Sequence, residues 1–444
     1  MYQLSGKKPS FNGYKKSYAF YSFAFLLIVL LAFSGCDKQQ QPQGDTAGQS
    51  VKVQGENGTG TNTPGGAFST LHMINASIGW AETTNFSTAT TYYTVLRTTD
   101  GGVHWQAVLR CSPYQGFPGK GAGYATCPVD FRSATTATVL ETQQSTMNIY
   151  HTVNGGQTWQ RSTLKAGYIE TPPVFVDALH GWALATDNFP GYDPGSSYIG
   201  KEISLFRTVD GGQSWQKIGS SAATSQLPST SDDAYGTAPF TASTRMAFTS
   251  DTTGWLVGTS YRKDESMFSW LYVTHDGGTT WQKVTISFPA SADALWAPQF
   301  FSAQDGLLPI STSGPAPAYK LETMLYATDN GGITWAGTSV PFDVTNATYL
   351  DMTHAWTWTG SLNQNTFATT SDGWRHWTKG SIHTHFARVY GFDFVSPTLG
   401  WAIADNLRMS MPEPSGGLRS GDNVALLRTT DGGLTWQEIA HSVV

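Results

Sequence analysis

Beyond about residue 66 the chain alternates short apolar runs with breaks rich in Gly, Thr, Ser and Asn. No three-and-four spacing of apolar positions persists long enough to make a helix. The runs span four to eight residues and favour Val, Thr and aromatic residues, as in "TYYTVLRT" (91–98) and "NVALLRT" (423–429). That pattern predicts β-strands joined by tight turns. The strands fall into sets of four. A single apolar residue (Met73, Phe131, Phe175, Phe248, Phe300, Tyr349 or Phe394) marks the first. A Trp opens the second in five sets, as Trp80, Trp182, Trp255, Trp356 and Trp401. The third ends at a Thr, and the fourth opens on another Trp.

Between strands three and four lies one recurring turn: "TTDGGVHW", "TVNGGQTW", "TVDGGQSW", "THDGGTTW", "TDNGGITW", "TSDGWRHW" and "TTDGGLTW". Its Trp residues lie 54, 56, 66, 54, 42 and 59 residues apart. An Asp or Asn carboxyl or amide oxygen accepts backbone N–H bonds two residues on, and glycine supplies positive φ without steric cost. The Trp ring is expected where the turn meets the next blade. Seven four-stranded units that cannot each bury both faces predict a ring: an all-β, seven-bladed β-propeller over residues 68–444. No strand exchange closes that ring, although "SVKVQ" near residue 52 is a candidate extra edge strand.

Repetition assigns Asp100, Asn154, Asp210, Asp276, Asn330, Asp372 and Asp431 to the scaffold, since a catalytic acid would occur once. The sixth turn, with Trp374 for the second Gly and His376 for the Thr, reads as a decayed copy. Asp177 and Asp351 share one turn position between strands one and two. Arg97, Arg207 and Arg428 share one third-strand position, as outer-strand side chains and not a substrate triad. The Ser/Thr-x-Asp-x-Gly-x-Thr-Trp pattern resembles the Asp-box of sialidases, sortilin-type receptors and some glycoside hydrolases. In its Asp-Gly-Gly form, preceded by a Gly-Trp strand, it resembles the photosystem II assembly/stability factor family of seven-bladed propellers. That resemblance covers most of residues 68–441 and implies the fold and a part in assembling a membrane complex. The family's arginine-rich patch is not evident, so its photosystem partner is not carried over.

The start of the chain changes the picture. Lys7, Lys8, Lys15 and Lys16 precede the apolar run "YAFYSFAFLLIVLLAF" and then "SGC". This is the order of a secretory signal over residues 1–35. "AFSGC" resembles a bacterial lipobox, which implies a lipid on Cys36 and a flexible spacer over residues 36–67. The protein is then expected on the extracytoplasmic face of the cytoplasmic membrane. Asp37 resembles the inner-membrane retention signal of Gram-negative lipoproteins. Past residue 35, 22 Lys and Arg stand against 32 Asp and Glu, a net charge of −10. Nucleic acid is excluded as a partner, because it needs a basic footprint. Of three cysteines, Cys111 and Cys127 remain for one disulfide in an oxidising compartment.

Candidate chemistry falls to segments that do not repeat. Tyr114, Phe117, Tyr124, Tyr192, Tyr198, Tyr235, Trp270, Trp296 and Tyr319 are candidates for an aromatic binding face across the ring from the Asp-boxes. His383 and His385 share an i,i+2 spacing without a third ligand, and Asp232 with Asp233 form a lone acid pair. No metal, cofactor or catalytic residue is assigned, and a monomer is expected. Two functions compete: a lipid-anchored, non-enzymatic scaffold for a protein partner, or a secreted glycan-binding or glycoside hydrolase propeller, whose enzyme form needs two carboxylates facing a cleft.

Overall fold

The computed structural model describes residues 51–54, 66–86, 91–111, 127–143, 146–164, 172–186, 203–220, 244–261, 267–289, 292–313, 321–341, 347–359, 365–405 and 423–443. They form seven antiparallel sheets, the four strands of each blade coming from one contiguous segment: 67–111, 129–164, 174–220, 245–283, 292–340, 348–381 and 388–443. Within each blade four strands pair in chain order, and the seven blades close into a propeller. Blade five departs slightly: its innermost strand is broken into Ala292–Leu295 and Gln299–Phe300, both paired with Gly306–Ser313. The strand foreseen near residue 52 forms as Val51–Gln54. It pairs antiparallel with the outermost strand of blade two, Val51 opposite Arg161 and Gln54 opposite Thr158.

Each Asp-box closes on itself. In blade one the Asp100 Oδ1 accepts the His104 N–H at 2.9 Å and the Thr98 hydroxyl at 2.9 Å. The Thr98 oxygen in turn accepts the Gly102 N–H at 3.0 Å. The acidic oxygen therefore reaches the residue four positions on, not two, because two positive-φ residues wrap the chain around it. In blades two and five, where Asn replaces Asp, the amide nitrogen donates to Thr158 and Thr334 at 2.8 and 2.7 Å. Where Asp is kept, the second oxygen accepts a hydroxyl or faces an imidazole: Ser214, Thr280, Thr435, His104 or His376. The Thr435 hydroxyl, then the Thr435 N–H and the Thr429 hydroxyl, hold the Asp431 carboxyl down to about 2. The first glycine pins the box to the strand one–two turn of its own blade, as in Gly101 N–H to Ser77 O at 2.8 Å and Gly432 N–H to Thr398 O at 2.8 Å. A Cβ at Gly101, where φ is +78°, would stand 2.7 Å from the Ala76 carbonyl.

Stacking fixes blade to blade. Trp182 lies flat on Phe248 of the next blade, with centroids 3.7 Å apart and planes 5° apart. Trp356 lies on Phe394 in the same way, and Trp80 and Trp255 meet Phe131 and Phe300. The indole N–H groups of three of them cross the same joints: Trp80 to Ser133 O, Trp182 to Gly277 O and Trp356 to Gly432 O. Arg97, Arg207 and Arg428 cover the other faces of Trp80, Trp182 and Trp401 at 5.3 to 5.6 Å. Two of them also reach the next blade, Arg97 to Ala134 O and Arg207 to Asp251 O. They are third-strand clamps inside the joints, each cation–π contact adding about 0.5–2 kcal/mol. The Asp-box Trp does not point at the next blade. In five blades it packs edge-on against its own blade's first-strand aromatic, as Trp215 does on Phe175 and Trp436 on Phe394, whereas Trp159 of blade two lies edge-on to Trp80 of blade one and donates to the Val108 carbonyl there.

Two blades that break the pattern compensate for it. Where five blades have Trp, blade five has Leu307 and blade two has Thr138. Its neighbour His151, paired across the strands, stacks on Phe175 at 4.0 Å instead. Burial pushes the His151 pKa down to about 4, so it stays neutral at pH 7. In blade six Trp374 takes φ +74°, alone among non-glycine described residues. It is buried and meets Tyr349 at 5.5 Å, edge-on. Its strain, on the order of 1–2 kcal/mol, is offset by that packing.

Among the described residues the ring closes without strand exchange. Blades one and seven meet through a core of Phe68, Met73, Trp105, Trp401, Ile403, Val424 and Leu426. Trp401 donates to the Gly101 carbonyl at 3.0 Å, and the Asp393 carboxylate accepts the Met73 N–H.

Candidate functional site

The described chemistry outside the repeats gathers in two places. The first is the central channel, a cavity of about 1080 Å³ walled by the innermost strands of blades one to five. Blades three to five give it Val174, Met246, Phe248 and Phe300, whereas blades one and two give it His72, Asp130 and Arg132. His72 lies 3.6 Å from Asp393 of blade seven, and Arg132 lies 3.4 Å from Asp130. Burial alone would lower the His72 pKa. The Asp393 carboxylate, helped by Asp130, outweighs it and raises the value. Each charge in this wall therefore has an opposite neighbour.

The second is the joint between blades one and two. Glu82 and Glu141 project into it from facing strands and are 6% and 2% exposed, which sets them apart from every Asp-box acid. Glu82 occupies the second-strand position held elsewhere by Leu140, Leu184, Val257, Pro309, Trp358 and Ile403. Its Oε2 accepts the Ser69 hydroxyl at 2.9 Å, while Oε1 is buried without a hydrogen-bond partner. Burial pushes the Glu82 pKa up to about 7 against the pull of Ser69. Glu141 is better held: its Oε2 accepts Asn148 Nδ2 and the Tyr150 hydroxyl, both at 3.0 Å. Asn148 passes the chain of bonds outward, accepting Arg161 Nη2 at 3.1 Å and the Thr163 hydroxyl at 2.9 Å.

Cys111 and Cys127 complete this joint. Both are buried, at 0% and 4% exposure, among Tyr93, Val95, Val139 and Tyr150. They are free thiols close enough for a side-chain hydrogen bond between them. The expected disulfide is therefore not present in this structure, although the fold brings its two sulfurs together. The Cys127 hydrogen bond lowers the Cys111 pKa; burial and the nearby Glu141 and Glu82 carboxyls outweigh it and raise the value. Cys127 is pushed well up by burial and by the same neighbours.

Of the aromatic face, Tyr114, Phe117, Tyr124, Tyr192, Tyr198, Tyr235 and Tyr319 lie outside the described residues, as do Cys36, Asp232 and Asp233. Trp270 is not on a surface. It is 3% exposed in the joint of blades three and four, lying across from Gly258, which leaves room for the indole. A Cβ at Gly258 would stand 2.4 Å from that ring. Trp296 is half-buried between the two pieces of the innermost strand of blade five. His383 and His385 are exposed beside a cavity of about 360 Å³, with Glu438 4.0 Å from His385. Among the described residues no three His, Cys, Asp or Glu side chains are placed to hold a metal. Asp177 and Asp351 sit in strand one–two turns, accepting the backbone N–H groups of Leu179 and His180, and of Thr353 and His354. Sequence reasoning passed over Glu82, Glu141 and the pair of half-buried Arg388 with buried Asp405, 2.5 Å apart. The available signal was an acid at a repeat position that other blades fill with apolar or hydroxyl residues.

A BNR/Asp-box repeat model matches residues 272–283. No curated protein sequence matches the chain. Among solved structures, YCF48 bound to a D1 peptide is 16% identical, with 82% of this chain and 96% of that one covered and a TM-score of 0.42. The GH74 enzyme of Niastella koreensis is 13% identical, covering 83% and 62%, with a TM-score of 0.30. The polysaccharide lyase Uly1 is 9% identical, covering 84% and 91%, with a TM-score of 0.46. At these values the likenesses carry no function.

Proposed function

We propose that this chain is an exported, lipid-anchored propeller that binds a protein partner through the end of the ring opposite its Asp-boxes, as an assembly scaffold. One observation carries the reading: the repeated charged residues are consumed by the fold. The box carboxylates close on their own turns, and the three third-strand arginines cover Trp rings inside the joints. Recognition then falls to segments that do not repeat, carried on a rigid frame. The basic, apolar and Cys-containing start supports the anchor at Cys36.

Site-directed photo-crosslinking in the intact membrane tests this. Probes replacing Tyr192, Tyr235 or Tyr319 are expected to give one shared adduct. Probes replacing Ile333 and Leu434, which are 75% and 78% exposed at the Asp-box end, are expected to give none. Adducts from Leu434 alone, or turnover of a chromogenic glycoside, would overturn the reading. Cys36→Ala is expected to move the protein out of the membrane fraction; retention there would remove the anchor.

A further inference from the structure

We infer that Cys111 and Cys127 form a structural disulfide that is made before blades one and two pack together and is closed to exchange afterwards. The two side chains lie buried in one cluster, within reach of a hydrogen bond to each other, although 15 residues separate them along the chain. One ends the outermost strand of blade one, Gln106–Cys111, and the other stands just before the first strand of blade two, Val129–Phe131. The bond would therefore tie two blades across their joint, closing a loop of the size for which chain-entropy arguments give a substantial gain.

The surroundings decide when this can happen. Disulfide exchange needs a thiolate that meets its oxidant. In the packed joint both thiols are covered, at 0% and 4% exposure, by Tyr93, Val95, Val139 and Tyr150. Two carboxyl groups, Glu82 and Glu141, stand on the facing strands and oppose any negative charge on sulfur. The same surroundings protect the finished bond, because its reduction must expel a thiolate into an apolar, acid-lined joint. The chemistry is two-electron. Both S–H bonds break, one S–S bond forms, and two protons and two electrons pass to a disulfide oxidant, which leaves as two thiols. The oxidant is met outside the cytoplasm, so in the cell this step rests on the proposed export.

The full chain carrying Cys36→Ser keeps only these two thiols and tests the order of events. Unfolded in denaturant and diluted into oxidised glutathione, it is expected to lose 2 Da in mass and both reactive thiols. Folded first under reductant and then given the same oxidant, it is expected to react roughly a hundredfold more slowly, because reaction waits for the joint to open. Equal rates in the two orders would overturn the inference, and so would rapid reduction of the folded, oxidised chain by millimolar dithiothreitol. Wild-type protein from membranes separates the two proposals. A lipidated chain with two free thiols ends the disulfide but leaves the anchor standing. A chain without lipid ends the anchor, and the refolding arm still decides the cysteines.

Discussion

Trp182→Ala should lower the stability of the propeller by about 3–5 kcal/mol, read as a shift in the midpoint of chemical denaturation. Four losses add at this position. The indole is 0% exposed and fills the joint of blades three and four, so truncation leaves a cavity that neighbouring strands cannot collapse into. Its flat contact with Phe248 at 3.7 Å is lost, worth about 0.5–1.5 kcal/mol beyond area. The Gly277 carbonyl loses its 2.8 Å donor, and Arg207 loses the ring it covers. Trp182→Phe keeps the stack but not the donor and should cost roughly 1–2 kcal/mol. Leu179→Ala, three residues away but 52% exposed, should change stability by less than about 0.5 kcal/mol. If Trp182→Ala behaved like Leu179→Ala, the joints would not hold the ring.

The second large effect is a pH dependence located at one residue. Glu82 is pushed up to about 7 in the folded chain, against 4.5 for a free side chain. The native state therefore binds this proton more tightly than the unfolded state. Stability is full below about pH 4.5, falls as pH rises from there to about 7, and is flat above. The span is about 3 kcal/mol. Glu82→Gln keeps the shape without the charge, so it should match wild type near pH 5 and be about 3 kcal/mol more stable near pH 8. The difference between the two proteins isolates Glu82. His72 and His151 titrate in both chains alike, and His151 has the opposite sign, losing stability as pH falls toward 4. Parallel wild-type and Glu82→Gln profiles between pH 5 and 8 would show that this carboxyl is ionised in the joint.

What was legible in the sequence was what repeats. The Asp-box could be read because its chemistry is local: a Thr hydroxyl and an Asp or Asn oxygen two residues on in all seven copies, followed by two glycines in six of them. Blade number followed from the copies, and each blade proved to be one contiguous segment. Contacts set by pairing across strands were harder to read. Trp270 looked like a surface aromatic because its partner, Gly258, is twelve residues earlier and becomes visible only with the register. His151 replaces the missing Trp of blade two from the neighbouring strand, so a scan of single positions shows a defect and no compensation. Register also separates the Asp-box Trp, which in five blades turns back onto its own blade, from the second-strand Trp, which crosses to the next. Glu82 and Glu141 needed a different comparison, one of unlike residues at like positions.

The claim beneath all of this is that the Asp-box is a fold device in every blade. The direct measurement is the thermal midpoint of Asp210→Ala, Asp276→Ala and Asp431→Ala, each in the otherwise unchanged chain. Each carboxylate holds the same Thr hydroxyl and the same backbone N–H four residues on, at 2.7–2.9 Å. The three midpoints should therefore fall together, each by a few degrees, while photo-crosslinking from Tyr235 in the folded proteins stays as in wild type. A single variant that keeps its midpoint and loses the crosslink would make its Asp-box a binding site and contradict the account.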